Sequence, residues 1–343
     1  MSPNNILTEA IDRLADGEDL SADAAARVLR EVMEGSASEA QAAALLIALR
    51  AKGETVEEIT GLARTMRQLA TPVEVDGAAL VDTAGTGGGP PTFNVSTTAA
   101  FVAAGAGCRV AKHGNRSNTS RCGSADVLEA LGARIDLAPS AVAECIESVG
   151  FGFMFAPNHH KAMRHVMPVR KELAVRTVFN LLGPLTNPAG AMHQVIGVSD
   201  PRYLEKIAAA LGELGTESAL VVSSADGLDE LSASGPTRVV ELKDGQLDSY
   251  ELTPDDVGVE PAADGAVGAG EPEHNAEVTR AVLQGERGTE RSLTVINAGA
   301  AIYVCGRAET IEAGVRRAEE AIANGAAREV MERFVERTGE LGP

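Results

Sequence analysis

Two stretches of the sequence carry side chains that could bind a phosphorylated ligand. The first reads DTAGTGGGPPTFNVST, from Asp82 to Thr97. A strand that leads into glycines and then into a helix begun by Asn, Ser or Thr presents backbone N–H groups and a helix dipole to an anion. The stretch lacks the G-K-[ST] of a Walker A motif, and Pro90 stands where the third glycine of G-x-G-x-x-G would be. It therefore predicts an anion-binding loop, with an ordinary structural turn as the alternative.

The second stretch is KHGNRSNTSRCGS, from Lys112 to Ser124, and it contains no acidic residue. A lysine supplies a point charge to phosphate oxygens, while hydroxyls and backbone N–H groups give direction. The stretch predicts contacts to phosphate and ribose, and an ordinary polar loop is the alternative. His113 within it could act as a base, although hydrogen bonding inside the loop is its expected role.

Residues that could bind a metal ion or a carboxylate are predicted further along the chain. Asp226-Gly-Leu-Asp229-Glu230 follows an apolar strand, and such carboxylates suit Mg²⁺ bound together with substrate phosphates; a solvated acidic turn is the alternative. Between Phe155 and Lys171 lie three histidines and four cations, among which an arginine could bind a carboxylate through two hydrogen bonds. A structural role is expected for His160 taken alone. Zinc and serine hydrolase motifs are absent from the sequence.

The distribution of charge narrows the class of ligand. The chain of 343 residues has 49 Asp and Glu against 30 Lys and Arg, a net charge of −19. This charge disfavours nucleic acid and anionic membranes as partners, because both would be repelled. Residues 83–125 and 148–171 nevertheless contain basic but no acidic residues, which indicates a small anionic ligand; structural ion pairs are the alternative. Only six of the basic residues are lysines, and we expect adaptation to a high-salt cytoplasm.

Cellular location is predicted from what the sequence lacks. It contains no run of 18 apolar residues and no basic and apolar leader at its start, so we expect neither a membrane span nor secretion. The cysteines are widely spaced without a C-x-x-C pair, so we expect reduced thiols in the cytoplasm and no disulfide or zinc framework. The four residues are Cys108, Cys122, Cys145 and Cys305.

The elements that must position these side chains follow from periodicity. The first 70 residues predict helices, with capping boxes at Ser38–Gln41 and Thr55–Glu58. Apolar residues at helical spacing predict core or dimer faces. They are Ala40, Ala43, Ala44, Ile47, Ile59, Leu62, Ala63, Met66 and Leu69.

After residue 72, short strands alternate with helices. Strands are predicted at 79–82, 108–112, 194–198, 219–223, 237–242 and 247–252, with Asp244-Gly245 as a hairpin turn. Helices are predicted at 96–106, near 124–131 and from Asn275 to the end. The fold class is α/β, with a small N-terminal helical domain and a large α/β domain whose central, mostly parallel sheet is flanked by helices.

The motifs together resemble the anthranilate phosphoribosyltransferase family of tryptophan biosynthesis. The matching runs span almost the whole chain and include GTGG…TFNVST, KHGNRS, FAPNHH, VFNLLGPLTNP and DGLDELSASGPT. The resemblance implies a helical domain over 1–72, with a helical contribution from about 165–190, and a donor-binding α/β domain over 73–343. It also implies a cytoplasmic homodimer formed through the helical domain.

The resemblance further implies the reaction and its residues. The amine of anthranilate attacks C1 of phosphoribosyl pyrophosphate and gives N-phosphoribosylanthranilate and pyrophosphate. The implied donor contacts are Gly85, Thr86, Gly87, Gly88, Asn94, Ser96, Thr97, Lys112 and Ser120; the anthranilate contacts are Gly85, Gly114, Asn115, His160 and Arg170. Two Mg²⁺ ions per subunit would be served by Ser96, Asp229 and Glu230, and the catalytic set would be Lys112, Arg170, Asp229 and Glu230.

One loop departs from the family pattern. Gly89-Pro90-Pro91 replaces a four-residue Asp-Gly-x-x segment and is one residue shorter, which removes a carboxylate and stiffens the loop that meets pyrophosphate and metal. Two other functions are considered. A pyrimidine nucleoside phosphorylase is disfavoured by the DGLDE carboxylates and Arg170, and a non-catalytic nucleic-acid-binding relative is disfavoured by the net charge.

Overall fold

Four helices form the N-terminal part of the chain, because each has a polar N-cap and an apolar face. The computed structural model describes residues 3–75, 79–117, 121–262 and 267–342. The four N-caps are side chains that accept hydrogen bonds from first-turn amides. The helices are α1 (Asn5–Ala15), α2 (Ala22–Met33), α3 (Glu39–Lys52) and α4 (Val56–Leu69).

The two predicted capping boxes have different outcomes. Thr55 and Glu58 form the complete reciprocal box at the start of α4. At α3 the Ser38 hydroxyl accepts from the Gln41 N–H at 3.2 Å, but the Gln41 side chain instead accepts from the backbone N–H of Asn4 at 3.1 Å. The second prediction is therefore half correct, since α1 competes for the glutamine.

The apolar stripe predicted on α3 faces away from the core. On α4 the residues from Ile59 to Met66 in the stripe are buried, as predicted for a core face. On α3 the buried residues are instead Ala42, Leu45, Leu46 and Leu49, and Ile47 is 40% exposed. The α3 stripe is thus a surface rather than a core face.

A seven-stranded sheet forms the centre of the α/β part. Its order is β3-β2-β1-β4-β5-β6-β7; the first five strands in that order are parallel, and β6 and β7 are antiparallel. The strands are β1 (Leu80–Gly85), β2 (Arg109–Gly114), β3 (Phe151–Phe155), β4 (His193–Gly197), β5 (Ser218–Ser224), β6 (Thr237–Lys243) and β7 (Gln246–Leu252). The mostly parallel sheet is confirmed.

Sequence reasoning found six of these strands and missed β3. Its sequence, FGFMF, is apolar throughout and gives no alternation, because both of its faces are covered. The predicted hairpin turn joins β6 to β7, with Asp244 and Gly245 both at positive φ (52° and 74°). Such a turn matches the twist of the flanking strands.

Helices cover both faces of the sheet. The first set after the bundle is α5 (Val95–Gly105), α6 (Ser124–Leu131), α7 (Pro139–Val149), α8 (Ala156–His159), α9 (Met167–Leu173), α10 (Phe179–Leu182) and α11 (Leu204–Glu213). The C-terminal set is α12 (Pro272–Leu283), α13 (Thr289–Val304), α14 (Ile311–Ala323) and α15 (Ala326–Leu341). Single 3₁₀ turns lie at Lys161–His165, Gly183–Leu185, Pro201–Tyr203 and Asp255–Val257.

The helical bundle and one face of the sheet share a single apolar core. Val166, Val169 and Val178, from the segment around α9, pack in the same cluster as the buried residues of α1–α4. Ile196 of β4 and Val221 of β5 join that cluster, while Val195 and Leu220 face the opposite one. The predicted division at residue 72 stays a prediction. No helix of the described ranges is long and apolar enough to cross a membrane.

The prediction that no disulfide forms is wrong. Cys108, just before β2, pairs with Cys305, at the end of α13, with their Cα atoms 6.6 Å apart. The two are 197 residues apart in sequence, so their spacing gives no sign of the contact that packing of α13 creates. Cys122 and Cys145 are buried and form no disulfide with a described residue.

Candidate functional site

The predicted site residues meet at the carboxyl edge of the parallel strands. Gly85 ends β1 and Gly114 ends β2, and Gly85 lies opposite Gly197, the last residue of β4. The chain crosses from β1 to β2 on one side and to β4 on the other. In open α/β sheets the crevice at such a reversal of strand order is the usual ligand site.

The glycine-rich loop after β1 is folded against the acidic segment after β5. The Gly87 N–H donates to Asp229 Oδ2 at 2.8 Å, and the Thr86 N–H donates to the carbonyl of Gly197 at 2.9 Å. A Cβ on Gly85 would lie only 2.6 Å from the Asp229 carboxylate. Gly88 has φ of +90°, a backbone conformation that favours glycine. The loop and the carboxylate therefore form one unit.

The start of α5 lies beside this unit. Asn94 Oδ1 accepts from the side-chain amide of Asn275 at 2.9 Å, and Asn94 Nδ2 donates to the carbonyl of Cys122 at 3.3 Å. The asparagine thus ties the helix start to the second polar stretch. The hydroxyl of Thr97 is buried and has no hydrogen-bond partner among the described residues, and its predicted contact with a ligand stays a prediction.

Lys112 is buried beneath the loop with only 1% of its surface exposed. Its ammonium donates to the carbonyl of Thr83 at 2.5 Å, to the Thr83 hydroxyl at 3.2 Å and to the Ser96 hydroxyl at 3.2 Å. Burial lowers the pKa of Lys112, while Asp82 and Glu230 raise it. The three donors of the ammonium are therefore engaged by protein groups, and the predicted contact of Lys112 with a ligand phosphate stays a prediction.

Asp229 and Glu230 are half-buried carboxylates whose pKa values are raised. For Asp229 the cause is burial, which the Gly87 N–H and Arg176 partly offset. For Glu230 the cause is burial together with the charge of Asp229, against which Lys112 acts in the opposite direction. Two carboxylates that repel each other gain free energy from a cation placed between them.

The oxygen donors at this point suit a hard divalent cation. Hydroxyl and carboxylate oxygens of Ser96, Asp229 and Glu230 are of the type that Mg²⁺ prefers. Within the described ranges, no group of three or more His, Cys, Asp or Glu residues could hold a metal ion. The protein therefore offers at most two carboxylates, and the remaining ligands of an octahedral Mg²⁺ would come from water and substrate oxygens.

The arginines of the second polar stretch are less available to a ligand than its composition indicated. Arg116 pairs with Asp126 at 2.7 Å and with Glu129 of α6, and Arg121 lies 3.7 Å from Glu271. Structural ion pairs, the alternative considered above, thus account for these two cations. Asn115 is exposed, and its side chain accepts from the Arg116 N–H. Ser120 lies outside the described residues.

Two buried histidines lie on the other side of the strand edge. The rings of His113 and His160 have centroids 5.1 Å apart. Neither ring nitrogen of His160 has a hydrogen-bond partner in the described part of the chain. Burial, with a smaller contribution from His159, lowers the pKa of His160 to about 4, so its imidazole is neutral at physiological pH. The His113 backbone N–H, rather than its ring, makes the loop hydrogen bond, to Asp82 at 3.1 Å.

Arg170 lies in the last turn of α9 with its guanidinium 5.3 Å from the centre of the Phe179 ring. Burial lowers its pKa, and no carboxylate pairs with it among the residues described. Within the same ranges, no hydrogen bond joins Arg170 directly to His160 or Asn115. Its assignment to a substrate carboxylate therefore stays a prediction.

Sequence reasoning missed residues that stabilise the site through hydrogen bonds beneath the strand edge. Asp82 is fully buried, and its carboxylate accepts from the His113 N–H and from Asn187 Nδ2 at 2.8 Å. Asn187 belongs to the GPLTNP run and also donates to the carbonyl of Ala111 at 2.8 Å. A polar Asp at the centre of an apolar strand was the available signal, but nothing in the sequence names its partners. Arg176 was missed as well.

Comparisons with known proteins agree with this geometry. A profile described as "Glycosyl transferase family, a/b domain" matches residues 77–328, and one described as "Glycosyl transferase family, helical bundle domain" matches residues 8–70. The anthranilate phosphoribosyltransferase of Rubrobacter xylanophilus is 56% identical over 333 residues, which cover 96% of this chain and 97% of the relative.

Solved structures show the same similarity. The crystal structure of anthranilate phosphoribosyltransferase from Thermus thermophilus has a TM-score of 0.91 at 47% identity, and covers 96% of this chain and 99% of that one. The Saccharomyces cerevisiae enzyme in complex with PRPP and Mg has a TM-score of 0.88 at 28% identity over 98% of both chains. A structure of the same yeast enzyme in complex with 4-fluoroanthranilate has a TM-score of 0.87 at 26% identity, again over 98% of both chains.

Proposed function

This chain belongs to the glycosyl transferase family that joins a helical bundle domain to an α/β domain, and within it to the anthranilate phosphoribosyltransferases. From that membership we propose how its residues carry out the transfer. The amine nitrogen of anthranilate forms a bond to C1 of phosphoribosyl pyrophosphate as the bond from C1 to the pyrophosphate oxygen breaks. The leaving pyrophosphate takes the electron pair of the broken bond, and the nitrogen then loses one proton to water to give the neutral secondary amine.

The donor binds at the glycine-rich loop and the start of α5. Gly85, Thr86, Gly87 and Gly88 are the proposed pyrophosphate contacts: the three glycines are exposed and would let the pyrophosphate approach the backbone closely, while Thr86 is buried and its N–H already donates to the carbonyl of Gly197. The predicted phosphoribosyl contacts lie on or beside the adjoining helix and strand. These are Asn94, Ser96, Thr97 and Lys112, with Ser120 as a further predicted contact. The first turn of α5 supplies its helix dipole.

Mg²⁺ is the proposed cofactor, at Ser96, Asp229 and Glu230. When bound, Mg²⁺ neutralises charge that develops on the leaving pyrophosphate. The residues favour this role by their chemistry, since two half-buried carboxylates with raised pKa values adjoin a hydroxyl. Two ions per subunit remain the number that the family resemblance predicts.

The acceptor binds on the side of the two histidines. Gly85 and Gly114 border both substrates, and Asn115 and His160 would contact the anthranilate ring and amine. Arg170 would bind the anthranilate carboxylate by two parallel hydrogen bonds, which suits an arginine without a carboxylate of its own among the described residues. Alignment of the amine with C1 then supplies much of the rate enhancement without a covalent intermediate.

The hydrogen bond from the Gly87 N–H to Asp229 is the observation that carries this proposal, because it joins the pyrophosphate loop to the proposed metal ligand. The test follows the fluorescence of anthranilate, which is lost on phosphoribosylation. We expect loss that requires both phosphoribosyl pyrophosphate and Mg²⁺. Fluorescence that stays constant with both present would refute the proposed reaction.

The same assay distinguishes the phosphorylase alternative. A nucleoside phosphorylase uses inorganic phosphate to cleave a pyrimidine nucleoside and needs no metal on a pyrophosphate. We expect no release of base from uridine or thymidine in the presence of phosphate. A gel-shift assay with DNA, in which we expect no shift, tests the nucleic-acid-binding alternative.

We also propose a homodimer formed through the helical domain. α3 packs against α1 and α9, and each of these three helices has an exposed large apolar side chain: Ile47, Ile6 and Met167, respectively. Exposed apolar residues on adjacent helices are typical of an interface between subunits. We expect sedimentation to give twice the chain mass, and Ile47→Asp to shift the protein towards monomer. An Ile47→Asp variant with unchanged mass would place the interface elsewhere.

A further inference from the structure

Arg176, in the segment between α9 and α10, lies at the crevice and has no role in the function proposed above. Arg176 Nη1 donates to the hydroxyl of Ser199 at 2.8 Å, and that hydroxyl donates to the carbonyl of Gly87 at 2.8 Å. A Cβ on Gly88 would collide with the same guanidinium. Arg176 therefore lies directly against the glycine-rich loop.

Most of the hydrogen-bonding capacity of Arg176 is unused. A guanidinium has five N–H donors, and the Ser199 hydroxyl is its one side-chain hydrogen-bond acceptor in the part of the chain that the structure describes. Two carboxylates, Asp229 and Asp200, lie near enough for the charge of Arg176 to favour their ionised forms, but both are engaged by other groups. Asp229 accepts from the Gly87 N–H, and Asp200 forms an ion pair with Arg202 at 2.7 Å.

Two further features point these donors towards an anion. Asp229 and Arg176 flank the same loop, so a diphosphate bound there together with a divalent cation would meet a carboxylate on one side and a guanidinium on the other. The loop has Gly89-Pro90 where the family pattern has an Asp, so this chain lacks a loop carboxylate that could pair with Arg176. A half-buried arginine that has no ion-pair partner among the described residues, next to the exposed residues Gly87 and Gly88, suits bidentate contact with phosphate oxygens.

We propose that Arg176 binds the diphosphate of the donor and, through Ser199, holds the glycine-rich loop in the conformation that receives it. The inference rests on the proposed function for the identity of the substrate. Arg176 also connects the two parts of the molecule, because its backbone carbonyl accepts from Arg50 Nη1 of α3 at 2.8 Å.

The test measures binding of inorganic pyrophosphate with Mg²⁺ by calorimetry, alongside the KM values for both substrates. We expect Arg176→Ala to weaken pyrophosphate binding and raise the KM for the donor by at least about tenfold, as for loss of a charged hydrogen bond, with the anthranilate KM nearly unchanged. Arg176→Lys keeps the charge but not the planar pair of donors, and we expect an intermediate loss. Arg238→Ala is the matched control, since this exposed arginine of β6 pairs with Glu205 at 3.3 Å and its loss should leave pyrophosphate binding unchanged.

Ser199→Ala separates binding from positioning. It removes the link to Gly87 but leaves the guanidinium in place, so we expect a smaller loss than for Arg176→Ala. Equal losses in the two variants would overturn the direct contact with pyrophosphate, and so would unchanged binding in a folded Arg176→Ala or Arg176→Lys protein. Pyrophosphate binding that depends on Arg176 in a chain without transferase activity would uphold the inference and refute the proposed function. A wild-type chain that binds no pyrophosphate would overturn both.

Discussion

The donor half and the acceptor half of the crevice differ in how their polar groups are partnered. In the donor half, apart from the Thr97 hydroxyl and the unused donors of Arg176, groups far apart in sequence hydrogen-bond to one another: the Gly87 N–H and Asp229 are 142 residues apart, and Asn94 and Asn275 are 181 apart. In the acceptor half, both ring nitrogens of His160 lack partners and Arg170 has no carboxylate, as far as the described residues go.

This difference shows which polar groups the fold already holds in position before a substrate binds. Preorganised groups in the donor half need little rearrangement when a highly charged substrate binds. Buried polar atoms without partners are uncommon, and they are expected where a ligand supplies the missing hydrogen bonds. We therefore expect changes to the groups that are already partnered in the donor half to reduce turnover, and changes to unpartnered groups such as Arg170 to reduce affinity for one substrate.

The largest effect is expected when both carboxylates of the donor half lose their charge. Asp229→Asn combined with Glu230→Gln keeps the shape but removes the cation ligands, and we expect turnover to fall by at least about a thousandfold at saturating Mg²⁺. The measurement is the rate of anthranilate fluorescence loss as Mg²⁺ is titrated.

Asp226 provides the matched control within the same acidic motif. Its carboxylate accepts from the hydroxyls of Ser224 and Ser232, and so it shapes the turn rather than facing the crevice. We expect the turnover of the Asp226→Asn variant to depend on Mg²⁺ as that of the unchanged protein does. A double variant at Asp229 and Glu230 that retained Mg²⁺-dependent turnover would show that the metal binds elsewhere.

The second effect concerns Lys112. Lys112→Met keeps the length of the side chain but leaves Asp82 and Glu230 without a nearby positive charge, so we expect kcat to fall by roughly a hundredfold to a thousandfold. Because the ammonium already donates to Thr83 and Ser96, the KM for the donor should change less than kcat. The opposite result, a large rise in KM with kcat intact, would mean that Lys112 contacts the donor directly.

Much of this donor half could be predicted from the sequence, because its functional residues lie in short continuous segments. Glycines after a strand, a helix start with Asn and Ser, and adjacent carboxylates after an apolar strand each indicate their role within about ten residues. The alternating strands and the Asp244-Gly245 hairpin were predicted for the same reason. Ordered repetition over short distances is what periodicity can detect.

What escaped prediction depends on contacts between distant segments. The partners of Asp82, the ion pairs of Arg116 and Arg121, and the Cys108–Cys305 disulfide exist only once the sheet and helices have packed. The buried face of α3 could not be predicted for a related reason, since alanines and leucines occur on all sides of that helix. The cytoplasmic location and the adaptation to high salt stay predictions from composition.

The third prediction concerns the acceptor half. Arg170→Ala removes one charged contact, so we expect the anthranilate KM to rise roughly tenfold to a hundredfold while the donor KM stays the same. Arg164→Ala, at an exposed arginine in the preceding 3₁₀ turn, serves as the control and should change neither constant. Unchanged anthranilate kinetics in Arg170→Ala would remove Arg170 from the acceptor site and weaken the contrast between the two halves.

The smallest effect is on stability, and it tests whether the acceptor half is destabilised by acid. Folded His160 has a pKa of about 4 because it is buried, against an ordinary value of 6.5, and it faces His113 and His159 rather than a carboxylate. The unfolded chain therefore binds more protons between these two pH values, so stability is complete above about pH 6.5 and is lost as the pH falls towards 4. At about pH 5 this residue accounts for at most about 2 kcal/mol of lost unfolding free energy. Urea unfolding at about pH 7 and pH 5 measures the loss. We expect His160→Gln to reduce it and His165→Gln, at an exposed histidine, to leave it unchanged; equal losses in both variants would show that His160 is not held neutral by the fold.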